Sequence, residues 1–163
     1  MKITLPKYTL LAFTTTVIAL FSSCDMPKNT LAEEFQEIPN KTWSWSDSKT
    51  FTFTIYDSTH YTNLYLSLRI QGTYAYSNIW LISQIQGNNT NTKQQVQIEL
   101  ADQTGRWLGE GMSNLITYLK PVYIQTKLAP GTYTWTLSQN MRDEKLNGVV
   151  DIGIKIEKGQ PIL

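Results

Sequence analysis

The chain has 163 residues, about one domain by length, and its 14 Lys and Arg against 13 Asp and Glu leave a net charge of +1. That balance argues against a nucleic-acid partner, while 41% hydrophobic content with 9 Tyr, 5 Trp and 5 Phe argues against intrinsic disorder. One Cys and one His leave no room for a disulfide framework or a thiolate zinc site.

Lys2 and Lys7 precede an uncharged run from Tyr8 to Phe21, which ends at Ser22-Ser23-Cys24. A membrane-spanning helix needs about 20 apolar residues. This run is shorter, is interrupted by Thr14-Thr15-Thr16 and passes at once into polar sequence. Residues 1–23 therefore read as an export signal and are excluded from the fold. Cys24 stands directly after small residues, where a bacterial lipoprotein signal places the thiol that receives a diacylglyceryl group. Phe21 departs from the Leu usual at its position. A free thiol exported to an oxidising compartment is otherwise a liability, so Cys24 is read as the lipidation site.

Cleavage before Cys24 leaves 140 residues and, with Lys2 and Lys7 removed, a net charge of −1. No polybasic patch is left to hold anionic lipid, so attachment must come from the acyl chains, at about 0.8 kcal/mol per buried methylene. Residues 24–48 contain Pro27, Pro39, Glu33, Glu34 and Glu37. They read as an acylated tether, with a short helical turn near Ala32 to Glu37.

From residue 49 to 163 the pattern has a period of two, the signature of strands with one buried face. Phe51, Phe53 and Ile55 alternate with threonines, and Leu64, Leu66, Leu68 and Ile70 alternate with polar residues that include Arg69. Ile79-Trp80-Leu81-Ile82 is apolar on both faces and predicts a central strand. Further runs carry Val96, Ile98 and Leu100; Val122, Ile124, Thr126 and Leu128; Tyr133, Trp135 and Leu137; and Val150, Ile152, Ile154 and Ile156. Turn residues divide them: Gly72, Gly87-Asn88-Asn89, Gly105, Pro130-Gly131 and Asn147-Gly148. The fold class expected is all-β, a β-sandwich of jelly-roll or immunoglobulin-like type with about 7–8 antiparallel strands.

Three blocks within these strands and turns carry a resemblance. They are Tyr74-x-Tyr76-x-Asn78-Ile79-Trp80, then Leu100-Ala101-Asp102-x-x-Gly105-Arg106-Trp107-Leu108-Gly109-x-Gly111, then Gln139-x-Met141-Arg142-Asp143 with Leu146-x-Gly148-Val149-x-Asp151-Ile152. With the lipoprotein signal, the match covers nearly the whole chain and resembles the GldH family of gliding-motility lipoproteins. The resemblance implies a small cell-envelope lipoprotein needed for gliding and tied to the type IX secretion machinery. It brings no catalytic residue with it.

Asp57, Ser58 and His60 could be written as a hydrolytic trio, but residues so close in a polar turn are normally turn formers. Asp102, Asp143 and Asp151, with Glu144, offer carboxylates that calcium could collect. Their spacing matches no known cation loop, and the favoured reading is an Asx turn at Asp102 with Asp143 paired to Arg106 or Arg142. Arg69, Arg106 and Arg142 are the only arginines, and each could clamp loops internally or meet a partner. Arg69, Tyr74, Tyr76, Arg106, Trp107 and Arg142 are the candidate partner-binding set, and the Tyr74–Tyr76 turn is the expected exposed patch.

The expectation is thus a non-enzymatic, lipid-anchored assembly or stability factor with neither cofactor nor metal, facing the periplasm from the inner or the outer membrane. Its expected partners are the membrane and other gliding or type IX secretion lipoproteins. The alternative is a carbohydrate-binding module for peptidoglycan or surface glycan, using an aromatic face.

Overall fold

The computed structural model describes residues 29–112 and 114–162. The predicted export signal and Cys24 lie outside them. In chain order the strands are β1 (Thr30–Glu37), β2 (Thr42–Ser44), β3 (Lys49–Ile55), β4 (His60–Gln71), β5 (Asn78–Gly87), β6 (Thr90–Glu99), β7 (Glu110–Met112), β8 (Leu115–Thr126), β9 (Gly131–Gln139), β10 (Lys145–Asn147) and β11 (Val149–Pro161). A single 3-10 turn, Pro39–Lys41, joins β1 to β2.

The strands form a five-stranded sheet in the order β1-β11-β4-β8-β7, a four-stranded sheet in the order β3-β9-β5-β6, and a small β10-β2 pair. Every pairing is antiparallel. Alternation explains why the layers form. Leu64, Leu66, Leu68 and Ile70 of β4 lie beside Ile152, Ile154 and Ile156 of β11, all fully buried. Phe51 and Phe53 of β3 and Tyr133, Trp135 and Leu137 of β9 belong to the same core from the other sheet. Burying each such Leu or Ile contributes about 1.5–3 kcal/mol. An all-β sandwich results, with eight strands of seven residues or more.

A cluster of polar groups between the two sheets is paired. Trp135 Nε1 donates to Ser83 Oγ at 2.8 Å, Ser83 Oγ meets the Tyr123 hydroxyl at 3.1 Å, and the Tyr123 and Trp135 rings meet edge to face. This triad ties β8 of one sheet to β5 and β9 of the other. Leaving any one of these buried atoms unpaired would cost about 1–3 kcal/mol.

Two expectations change here. The tether expected through residue 48 enters the fold at Thr30, where β1 pairs with β11 in register from Ala32↔Ile156 to Glu37↔Asp151. Its acidic side chains sit on an exposed edge, so backbone bonding rather than an apolar stripe makes it a strand. In β8, the expected face of Val122, Ile124, Thr126 and Leu128 is broken by a bulge. Leu64 pairs with Tyr123 while Tyr65 pairs with Pro121, leaving Val122 as the extra residue. The alternation shifts by one, so Tyr123 meets the core triad and Ile124 stays half exposed.

Candidate functional site

Antiparallel order sends the β4–β5, β6–β7 and β9–β10 connections to one end of the sandwich, and these connections hold the three blocks. Backbone bonds lock them together. Leu100 and Ala101 N–H groups both donate to Ser77 O, at 2.8 and 3.0 Å, and Asn140 N–H donates to Trp80 O at 2.8 Å. Gly148 holds the turn before β11 at φ +91, where a Cβ would stand 3.1 Å from the Tyr74 Cα. Only glycine allows that approach without strain.

Between the first and third blocks lies a cleft of about 560 Å³, lined by Tyr76, Trp80, Gln95, Met141, Arg142 and Asp143 among others. The Tyr76 hydroxyl donates to Asp143 Oδ2 at 2.6 Å. That bond, followed by desolvation, holds the Tyr76 phenol above its ordinary pKa. Met141 Sδ accepts from the Trp80 N–H at 3.2 Å. Arg142 is exposed on the same loop. The cleft thus offers aromatic edges, a thioether, amide groups, one guanidinium and the Asp143 carboxylate, a mixed polar and aromatic surface of the kind that binds a partner.

The wall of this cleft hangs on Gln139, only 3% exposed. Its Oε1 accepts from Met141 N–H at 2.8 Å and its Nε2 donates to Asp143 O at 2.9 Å. Trp45 clamps the outer side, its indole N–H donating to Met141 O at 3.0 Å. Neither residue belongs to the candidate binding set. Gln139 sits in the third block, two residues before Met141, and that spacing was the available signal.

The six residues of the candidate binding set are not gathered into one patch. Tyr76 and Arg142 line the cleft. Tyr74, expected at the surface, is 4% exposed, and its hydroxyl donates to Asn78 O at 3.2 Å. Burial pushes its phenol pKa well up. Its position under Gly148 explains the difference, because a residue 74 positions further along the chain covers it. Arg69 is an internal clamp: its Nε donates to Asp151 Oδ1 at 2.8 Å, its second amine also pairs with that carboxylate, and the Phe35 ring lies 5.9 Å away. That bond raises the guanidinium pKa further. Trp107 is half-buried against the core, and its backbone bridges Ala101. Arg106 is 80% exposed and its Nε donates to Asp102 Oδ2 at 3.1 Å.

The carboxylates are likewise apart. Asp102 Oδ1 accepts from the Thr104 N–H and hydroxyl at 2.9 and 2.6 Å and from the Arg106 N–H at 3.1 Å. The Thr104 hydroxyl first, then the Arg106 amide, hold its pKa at about 2. Asp151 is buried against Arg69, and Asp143 accepts from Tyr76 rather than from Arg106 or Arg142 as expected. Among the described residues no group of three or more His, Cys, Asp or Glu is placed to hold a metal ion. At the opposite end of the sandwich, Asp57 Oδ1 accepts from the Thr59 N–H at 3.0 Å, and His60 Nδ1 meets the Thr59 hydroxyl at 2.8 Å. This is an Asx turn, and the contacts of Asp57 and His60 go to Thr59 rather than to Ser58.

The sequence profile of the family described as GldH lipoprotein matches residues 30–156. The chain is 29% identical over 155 residues to the gliding motility lipoprotein GldH homolog of Christiangramia forsetii, covering 86% of this chain and 90% of that protein. It is 28% identical over 147 residues to the gliding motility lipoprotein GldH of Flavobacterium johnsoniae, covering 85% and 90%. Among solved structures, chicken MD-1 complexed with lipid IVa aligns at a TM-score of 0.32 and 13% identity, over 82% of this chain and 99% of that one. A family profile that matches residues 30–156, nearly all of the sandwich, settles the kinship: the chain belongs to the GldH lipoprotein family.

Proposed function

We propose that this protein supports bacterial gliding motility as a non-enzymatic assembly or stability factor, acylated on Cys24, facing the periplasm and linked to type IX secretion. The carrying observation is the convergence of the blocks on one end of the sandwich, where Tyr76, Met141 and Arg142 border an open cleft held by Gln139 and Trp45. Interfaces concentrate their energy in a few aromatic and arginine side chains seated in such depressions. The mechanism is positional: the acyl chains fix the domain at a membrane and the cleft docks a protein of the motility and secretion assembly.

The test is complementation of a strain lacking the gene. Arg142→Glu with Tyr76→Ala should abolish colony spreading and reduce adhesin secretion while the protein stays abundant and in the membrane fraction. Normal spreading would overturn the docking role. Cys24→Ala should release the domain from membranes, and full membrane retention would overturn the acylation site.

A second reading, glycan binding, draws on the same cleft, because half-buried Tyr76 and Trp80 with nearby Asn78 and Gln95 amides suit a sugar ring. Co-sedimentation with purified peptidoglycan that Trp80→Ala abolishes would favour it over protein docking.

A further inference from the structure

The chain leaves the sandwich at a defined place. Lys158 N–H donates to Asn29 O at 2.8 Å, which fastens the start of the domain beside the end of β11. The residues between Cys24 and Asn29 are Asp25, Met26, Pro27 and Lys28. Even fully extended, those five Cα steps span at most about 18 Å. The lipidated cysteine therefore holds this end of the sandwich close to the headgroups. Tyr76 and Arg142 lie at the other end, separated by the length of β11, about 40 Å at the rise of a strand.

The anchored end has a surface suited to that position. Tyr56 is 81% exposed in the β3–β4 turn. Pro130 and Pro161 are exposed in the neighbouring β8–β9 connection and at the end of β11, and Ile162 N–H is bonded to Thr59 O at 2.8 Å on the same side. Lys127 and Lys158 stand there with Asp57. Tyrosine is the side chain that settles at a membrane interface, ring toward the acyl boundary and hydroxyl in the headgroups. The alternative pose would lay the domain on its β1 edge. That would press the exposed Glu33, Glu34 and Glu37 against the lipid surface, which an anionic membrane opposes.

We propose that the Tyr56 end of the sandwich rests on the bilayer surface and that the cleft is held away from that membrane, open to a partner in the periplasm. This rests on the acylation of Cys24. The occupant of the Tyr56 surface is a phospholipid headgroup layer, and the domain stands upright on it.

The full acylated protein, reconstituted into phosphatidylethanolamine and phosphatidylglycerol vesicles, provides the test. With Cys24 blocked as a thioether, Tyr56→Cys and Arg142→Cys each supply one free thiol for a nitroxide label. On reconstitution the Tyr56→Cys label should lose accessibility to an aqueous nickel chelate several-fold and gain it toward oxygen, while the Arg142→Cys label stays unchanged. A label at position 56 that stays fully aqueous, or one at position 142 that becomes protected, would overturn the proposal. An intact mass without acyl chains would overturn the anchor itself and the proposal with it.

Discussion

Replacing Gln139 with Met keeps length and volume but removes the amide that holds the cleft loop. Two backbone groups lose their nearest partner, the Met141 N–H at 2.8 Å and the Asp143 carbonyl at 2.9 Å, while the Glu144 and Trp43 carbonyls lose longer contacts at 3.4 and 3.5 Å. A buried group left unpaired costs about 1–3 kcal/mol. Met141 is half-buried and Asp143 exposed, so water recovers part of that, and the sum falls at about 2–3 kcal/mol. For a domain of this size such a loss lowers Tm by about 10 °C. The assay is urea and thermal denaturation of the domain without its signal and lipid, with amide exchange of residues 140–144 measured in parallel. Gln95→Met, at an exposed position in the same cleft, should stay within about 0.5 kcal/mol of the unmodified domain. If Gln139→Met behaves like Gln95→Met and leaves exchange in the loop unchanged, the loop is held by something else and the description of the cleft wall is wrong.

Other outcomes follow from the same contacts. Arg69→Ala leaves the Asp151 carboxylate, 5% exposed, without its guanidinium. Breaking a buried pair costs about 3–5 kcal/mol, but Arg69 is itself 40% exposed and water can reach the gap, so about 2–3 kcal/mol is expected in denaturation. Asp102 is held at about 2 from an ordinary 3.8, so its ionised form stabilises the fold above 3.8 and that contribution disappears as pH falls through about 2. Asp102→Asn should therefore lower Tm at neutral pH, with the gap to the unmodified domain closing across that window. A gap that persists below pH 2 would show that the loss came from the turn geometry and not from the charge.

Strand positions were readable where one face is buried and the other wet. The patterns at Leu64–Ile70, Val96–Leu100, Tyr133–Leu137 and Ile152–Ile156 correspond to β4, β6, β9 and β11, and the doubly apolar Ile79–Ile82 lies in β5, between β9 and β6. Strands β2, β7 and β10 are three residues long, too short for any period to show. Strand β1 was hidden because it is made by its partner: Glu33, Glu34 and Phe35 are all exposed, and only pairing to β11 extends them. The bulge at Val122 reversed the phase of half a strand, which alternation alone cannot register. At the site, Tyr76 and Arg142 were visible as block residues. The burial of Tyr74 depends on Gly148, and the diversion of Arg69 to Asp151 depends on the β4–β11 register. Both are long-range contacts that no local pattern encodes.

The proposed docking role of the cleft is tested most directly by a photo-reactive amino acid placed at position 142 in living, gliding cells, with a second at Leu119, which is 50% exposed on β8. Irradiation should join the position-142 probe to a protein of the motility or secretion assembly, lose that adduct when Tyr76→Ala is added, and leave the Leu119 probe without it. Equal labelling from both positions, or no protein adduct from position 142 in cells that spread normally, would contradict a cleft that docks a partner.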